Sequence, residues 1–298
     1  MATPRPRPSG PLRLARQAWN LLHTDSPRSR ALASRAIADA QAAGDPHAEG
    51  WARLARGVHH LYYATAAQAA KELRAAQKLL ARAGDRGGEL LAEASLARSI
   101  WREGRVQEAL AHVLPLRDEG VRLLRHEQRG LLLNTIAGCY SALGDSAQAF
   151  AYMYEALRDA SPRRGRGFDA VLHCNIAHEL AQIGDYEHAL LHVEQGLARS
   201  QALHNPRLQA VLRLNRIICL TELGRAADCL PEVRWVASVL PDADGRGAMG
   251  TEYETLAVAA LRAGDVALGA DLVDRALADG PPPLADERVE RHVASALL

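Results

Sequence analysis

Aromatic residues are scarce in this sequence. They make up 4% of the 298 residues, although 48% of the residues are hydrophobic. The hydrophobic excess is largely alanine, which is the best helix former but a weak contributor to a packed core. The composition therefore favours many close contacts between helices over one thick globular core.

The chain also has almost no net charge and no long apolar run. The 36 Lys and Arg against 35 Asp and Glu leave a formal charge of +1. The chain as a whole therefore has no electrostatic footprint for nucleic acid or an anionic membrane surface. No run of about 18 apolar residues occurs, and the N-terminal "MATPRPRPSGPL" lacks the apolar segment of a secretory signal. We expect a cytoplasmic protein with no nucleic-acid partner and no membrane partner.

Cysteine and histidine show no spacing typical of a metal or redox site. The four cysteines form no C-x-x-C pair and fall in helical patterns, as expected of reduced, buried thiols: Cys139, Cys174, Cys219 and Cys229. His173 and His178 are five positions apart, which separates two side chains by about 140° around a helix. We therefore predict no metal site.

Catalytic motifs are absent as well. The sequence contains no H-E-x-x-H, G-x-S-x-G or G-x-x-x-x-G-K. Gly87-Gly88-Glu89-Leu90 is similar to a fragment of the GGDEF signature of diguanylate cyclases. Its continuation, "LLAEASLARSIW", has a helical pattern, so we interpret the two glycines as a helix start. The sequence predicts a protein that is not an enzyme and needs no cofactor.

What the chain does contain is an internal repeat of 40 residues. A glycine followed by a polar residue marks a turn at Gly104, Gly144, Gly184, Gly224 and Gly264, and two earlier turns are predicted at Thr24-Asp25 and Ala64-Thr65. Small residues recur seven positions before the turn and five positions after it, with Ile217 as the exception. The members of these two rows are Gly57, Ala97, Ala137, Ala177 and Ala257, then Ala69, Ala109, Ala149, Ala189, Cys229 and Gly269.

This pattern resembles the tetratricopeptide repeat, with a longer period than the usual 34 residues. The fourth repeat matches best, through Leu133, Ala137, Tyr140, Gly144, Ala149, Ala156 and Pro162. The resemblance implies an all-α, right-handed TPR-like superhelical solenoid of about seven helix pairs. The predicted organisation is a disordered tail over 1–10, seven repeats over 11–284, and a capping helix or the start of an eighth repeat over 285–298.

A solenoid of this kind binds its ligands along the concave groove that the first helix of each repeat lines. The register predicts eleven groove residues, which we call the predicted groove set: Trp51, Leu54, Arg98, Trp101, Arg102, Asn134, Asn175, His178, Asn215, Ile218 and Glu254. The three asparagines suggest a ladder that holds the backbone of an extended peptide. The alternative is that each amide bonds to the next repeat and only aligns the stack.

The predicted function is a non-catalytic scaffold or sensor for a protein or peptide. Long-period, Ala- and Arg-rich repeats look similar to the N-terminal regions of bacterial diguanylate cyclases, which implies a C-terminal output domain. The alternatives are a stand-alone peptide-binding adaptor and a receptor similar to quorum-sensing regulators. A homodimer through the terminal "VASALL" is a further possibility that the sequence leaves open.

Overall fold

The computed structural model describes residues 9–159, 167–239 and 250–278. Within these ranges every regular element is helical and no strand forms. The chain divides into two units, residues 1–169 and 170–298. The predicted terminal helix over 285–298, its "VASALL" dimer contact and most of the predicted tail lie outside the described residues.

Within its described residues, the first unit contains four helix pairs. Their helices are α1 (Gly10–Asn20), α2 (Ser26–Ala43), α3 (Pro46–Tyr63), α4 (Ala66–Arg82), α5 (Arg86–Arg102), α6 (Val106–Val113), α7 (Arg117–Leu123), α8 (His126–Ala142) and α9 (Ser146–Asp159). The helices α6 and α7 together form the second member of the third pair. A 3-10 turn at Leu114–Leu116 separates them, because Pro115 has no N–H to continue the helix.

The second unit contains three helix pairs within its described residues. Their helices are α10 (Phe168–Gln182), which begins two residues before the boundary, α11 (Tyr186–Ser200), α12 (Pro206–Glu222), α13 (Leu230–Val239), α14 (Gly250–Arg262) and α15 (Val266–Ala278). A 3-10 turn at Ala226–Cys229 precedes α13. The seven helix pairs fall on the 40-residue lattice that the sequence predicts.

Glycine ends the first helix of the last five pairs. The five glycines at positions 104, 144, 184, 224 and 264 have φ of 82°, 79°, 80°, 72° and 82°, a left-handed conformation that favours glycine. The residue after the glycine then begins the second helix. The carboxylates of Asp145 and Asp265 accept hydrogen bonds from the backbone N–H groups of Gln148 (3.0 Å) and Leu268 (3.1 Å), as the predicted caps require.

The rows of small residues lie where the two helices of a pair meet. The alanines of both rows have no solvent exposure. A Cβ atom built on Gly57 would be 2.7 Å from Leu73, and one on Gly269 would be 2.4 Å from Leu261. The small side chains therefore permit the close approach of the two helices, as predicted.

An ion-pair arrangement recurs at matching lattice positions of the second and sixth pairs. Arg53 and Arg56 on α3 bind opposite oxygens of Glu72 on α4, at 3.0 and 2.7 Å. Four periods later Arg213 and Arg216 on α12 bind Glu232 on α13, at 2.8 and 2.9 Å. We call each group a two-arginine clamp. Because each clamp joins the two helices of its pair, it fixes their relative position.

Candidate ligand-binding cleft

A cleft of about 500 Å³ opens in the first unit. It lies beside the first turns of α5, α8 and α10, and the end of α1 and the side of α3 complete it. Its volume falls in the range of roughly 300–1,000 Å³ typical of ligand pockets. The residues that line it include Arg16, Trp19, Trp51, Asp85, Gly87, Gly88, Arg125, His126, Glu127, Gly130, Phe168 and Asp169.

Three of the few aromatic residues of the chain form the apolar part of the cleft. Trp19 and Trp51 meet edge to face with ring centroids 5.9 Å apart. Phe168 packs on Gly130, where a Cβ atom would be 2.8 Å from the phenyl ring. A side chain at position 130 would therefore displace Phe168 from the cleft wall.

Asp85 fixes the position of Trp51. Its Oδ2 atom accepts hydrogen bonds from the Trp51 indole N–H at 2.7 Å and from His47 Nε2 at 2.8 Å, while Oδ1 accepts from the N–H of Gly88 at 2.9 Å. Burial opposes ionisation of this carboxyl, but the three hydrogen bonds outweigh it and hold the pKa of Asp85 below its usual value. Asp85 is therefore a charged cap that also orients an aromatic wall.

The rim of the cleft carries exposed basic side chains. Arg16, Arg125 and His126 are all exposed. None of the three side chains makes an ion pair or hydrogen bond to another described residue. At the start of α8 beside them, the side chain of Gln128 accepts a hydrogen bond from the backbone N–H of Arg125 at 3.3 Å, and the acidic Glu127 lies in the first turn. The cleft thus combines an apolar interior with a polar, accessible edge, which suits it to bind a ligand.

Comparison with solved structures identifies the fold. A Rap protein complexed with competence and sporulation factor superposes with a TM-score of 0.61 and 12% identity, covering 91% of this chain and 71% of that chain. The fold is an all-α, TPR-like solenoid. A signal-transduction ATPase with a tetratricopeptide repeat sensor, from Pyrococcus horikoshii, superposes with a TM-score of 0.56 and 16% identity over 91% of this chain.

The matched part is 42% of the Pyrococcus chain. In sequence, no protein-family profile and no curated protein matches this chain. The all-α solenoid predicted from the repeats is confirmed, and the resemblance to diguanylate cyclases stays a prediction.

Within the first unit, the predicted groove set divides between the cleft and the helix packing of the solenoid. Trp51 lines the cleft and is 6% exposed. Leu54 is fully buried and so presents no surface to a ligand. Trp101 packs on Gly138, where a Cβ atom would be 2.6 Å from the indole ring. Trp101 therefore packs against α8, but its side chain is only half-buried, and its role as a ligand contact stays a prediction.

The three remaining groove residues of the first unit lie outside the cleft lining. Arg98 lies over the rings of Tyr62 and Trp101, at 5.3 and 5.4 Å from their centroids. Arg102 donates a hydrogen bond to the backbone carbonyl of Leu61. Asn134 is 2% exposed and has an interaction partner. The structure brings Arg98 and Trp101 together, but it does not bring them to Trp51.

Within the second unit, the predicted groove residues differ widely in exposure. His178 is exposed, whereas Asn175 and Ile218 are half-buried. Asn215 is 5% exposed, and its amide donates to the carbonyl oxygen of Cys174 on the preceding first helix at 3.1 Å. Glu254 is fully buried and has an interaction partner. At Asn215 the geometry supports the aligning role that the sequence left as the alternative.

The asparagine ladder is shorter than predicted. Asn175 and Asn215 are 40 residues apart and occupy one lattice position, whereas the lattice equivalent of Asn134 is Cys174. A shift of one residue rotates a side chain by about 100° around a helix. Asn134 therefore does not share the helix face of the other two, and the ladder reduces to a pair in the second unit.

The four cysteines are buried in the helix packing, and His173 and His192 contact each other. Burial raises the pKa of the Cys139 and Cys219 thiols to about 11 and that of Cys174 to about 12. His173 meets His192 across α10 and α11, with the two Nδ1 atoms 3.0 Å apart. No cluster of three or more His, Cys, Asp or Glu side chains in the described ranges could hold a metal ion.

The structure also tests two further expectations from the sequence, namely the helix start at Gly87–Gly88 and the absence of a membrane-spanning segment. Gly87 and Gly88 lie in the first turn of α5, which confirms their interpretation as a helix start. Among the described helices, none combines the length and apolarity needed to cross a bilayer.

Sequence reasoning missed most of the cleft. Trp19, Phe168, Arg16 and Arg125 were not predicted, because the prediction placed ligand contacts along the middle of the first helices. The structure instead places the cleft at the first turns of these helices. Two signals were available: the scarcity of aromatic residues, and Gly130 at a helix position that faces another repeat.

Proposed function

We propose that this chain is a non-catalytic peptide-binding module and that its cleft takes an apolar side chain of a short peptide segment. The observation that carries the proposal is a cleft of about 500 Å³ whose wall includes the half-buried Trp19, with Trp51 and Phe168 beside it at 6% and 3% exposure. Rigid aromatic side chains contribute much of the energy of many binding interfaces. The complex in which the similar Rap protein was solved supports the proposal.

The rigidity of the cleft wall supports the same conclusion. Asp85 holds Trp51 through a hydrogen bond of 2.7 Å, and Trp51 in turn meets Trp19. A wall that is fixed before the ligand arrives loses little side-chain entropy when the ligand binds. An inserted apolar side chain would then contribute roughly 25 cal/mol for each Å² of apolar surface that it buries.

Filling the cleft should abolish peptide binding. The side chain of a Gly87→Trp variant would project into the cleft, and we expect peptides that bind the native chain to lose at least tenfold in affinity. Gly87→Ala is the matched control, because its Cβ atom would be no closer than 3.7 Å to its neighbours. Alanine also favours the helix by up to about 1 kcal/mol.

Peptides for this test are selected from a random displayed library on the purified 298-residue chain, and affinities are measured by fluorescence anisotropy. Binding to the native chain and to Gly87→Ala, with loss in Gly87→Trp, supports the proposal. Equal binding by both variants places the peptide elsewhere, with the predicted groove set as the next candidate. A selection that enriches no peptide contradicts peptide binding altogether.

We also propose that the module is the sensory part of a longer signalling protein, with an output domain such as a diguanylate cyclase after the repeats. The repeat sensor of the similar Pyrococcus protein is one part of a longer chain, which supports this arrangement. An antibody against residues of α2 should then detect a native protein much heavier than 32.2 kDa in its own cells. A native mass of 32.2 kDa would instead favour the stand-alone adaptor.

A further inference from the structure

We infer that Arg98 on α5 anchors a carboxylate of a ligand, at a site separate from the cleft. Arg98 belongs to the predicted groove set but does not line the cleft. The site therefore goes beyond the proposed function. Its ligand would carry a carboxylate beside an apolar group, a combination that peptides offer at their C-terminus or on an acidic side chain.

Two aromatic rings hold the guanidinium of Arg98. Its Cζ atom lies 5.3 Å from the ring centroid of Tyr62 on α3 and 5.4 Å from that of Trp101, which follows on α5. The face of an aromatic ring attracts a cation, but neither ring supplies a negative charge. The rings therefore position the charge of Arg98 without neutralising it.

The hydrogen-bonding capacity of this guanidinium is not used. Its Nη1 atom is buried and has no hydrogen-bond partner in the part of the chain that the structure describes. A buried N–H without an acceptor destabilises the folded chain, and the planar fork of a guanidinium fits the two oxygens of a carboxylate. Part of Arg98 remains exposed, which leaves a route for a ligand.

The other half-buried arginines within the described ranges have partners. Arg129 donates a hydrogen bond to the carbonyl oxygen of Leu124, and Arg207 has an interaction partner. Arg98 is the exception in these ranges, since neither a carboxylate nor a carbonyl oxygen binds it. The remaining six each bind a carboxylate oxygen at 2.9 Å or less: Arg53, Arg56, Arg86, Arg117, Arg213 and Arg216.

The groups that face Arg98 supply no counter-charge. Burial and then the charge of Arg98 lower the pKa of His23 to about 4, so this imidazole is uncharged at neutral pH. The Cys139 thiol, whose pKa burial raises to about 11, is uncharged as well. The adjacent repeats place Val58 and Gly138 at the lattice position of Arg98. A negative charge at this site is therefore left for a ligand to supply.

The test uses three acetylated dipeptides on the full 298-residue chain. Acetyl-Gln-Phe has a free C-terminal carboxylate, acetyl-Glu-Phe-amide has a side-chain carboxylate, and acetyl-Gln-Phe-amide has none. Titrations are followed by NMR through the indole N–H signals of the four tryptophans, with that of Trp101 assigned from a Trp101→Phe variant. We expect at least one carboxylate dipeptide to bind about tenfold more tightly than the uncharged one and to shift the Trp101 signal. The tighter of the two identifies the source of the carboxylate.

An Arg98→Met variant should bind all three dipeptides equally. Methionine keeps a long, adaptable side chain against the two rings but carries no charge. Because the guanidinium lacks a carboxylate partner in the free chain, we expect the melting temperature to stay the same or to rise. Arg117→Met is the matched control, since Arg117 is half-buried in the same unit but binds Glu155 at 3.1 Å. The control should keep the preference for the carboxylate.

Three kinds of result would overturn the inference. The first is equal binding of the three dipeptides by the native chain, or a preference that survives in Arg98→Met or disappears in Arg117→Met. The second is a preference without a shift of the Trp101 signal, which would place the carboxylate elsewhere. The third is a clearly lower melting temperature of Arg98→Met with weaker binding of all three dipeptides, which would assign Arg98 to packing. None of these results bears on the cleft, which Gly87→Trp tests separately.

Discussion

Replacing Glu72 by alanine should lower the free energy of unfolding by about 3 kcal/mol, because it removes the centre of the first two-arginine clamp. Arg53 and Arg56 both bind Glu72, whose side chain is 11% exposed. After the substitution Arg53 keeps Glu49 at 2.7 Å, whereas Arg56 loses the carboxylate that it binds at 2.7 Å. A partly buried guanidinium then lacks its counter-charge. Urea unfolding followed by circular dichroism measures the loss.

The matched control for this prediction is Glu194→Ala. Glu194 binds Arg216 at 2.7 Å, but its side chain is 53% exposed. An exposed pair of this kind contributes about 1 kcal/mol or less. Glu232→Ala, which removes the centre of the second clamp, should behave like Glu72→Ala. If Glu72→Ala and Glu194→Ala had equal effects, the clamp would have no special role in stability.

The fold could be predicted because its determinants are local. A glycine with positive φ ends the first helix of the last five pairs, and a small side chain lies where the two helices of a pair cross. Both features recur every 40 residues and so are visible without a structure. The broken second helices of the third and sixth pairs could also have been recognised, since Pro115 and Pro231 lie in them.

The cleft could be predicted only in part, because it depends on contacts between repeats that are distant in sequence. Trp51 was predicted from its position in the repeat. Phe168 reaches the cleft because Gly130, in the preceding repeat, leaves room for its ring. Such a pairing has no local signature in one sequence.

The predicted asparagine ladder is wrong at one of its three positions, because a shared residue type does not imply a shared helix face. Asn134 shares its residue type with Asn175 and Asn215, but it lies one position out of the 40-residue register and therefore on a different helix face.

Acid should destabilise the protein well above the pH range in which its carboxylates titrate. Burial lowers the pKa of His59 and of His173 to about 4, from an ordinary value of 6.5. His60 and Arg30 face His59 and lower its pKa further, and Arg199 and His192 do so for His173. Both imidazoles are therefore neutral in the folded chain at pH 5, whereas the unfolded chain binds a proton at each.

The sign of the pH dependence of stability follows from these pKa values. Stability is fully present above pH 6.5 and falls as the pH decreases towards 4, because protons then favour the unfolded chain. Each of the two imidazoles should remove about 1.5 kcal/mol between pH 6.5 and 5. Urea unfolding at a series of pH values measures this slope.

A double variant, His59→Gln with His173→Gln, should show a flatter dependence on pH than the native chain. His188→Gln is the control, since His188 is 69% exposed and binds Asp185. That control should keep the native slope. A slope that is unchanged in the double variant would show that other groups cause the acid sensitivity. A flatter slope would show instead that these two histidines contribute to the acid sensitivity, and the slope that remains would include His23, whose pKa burial also lowers to about 4.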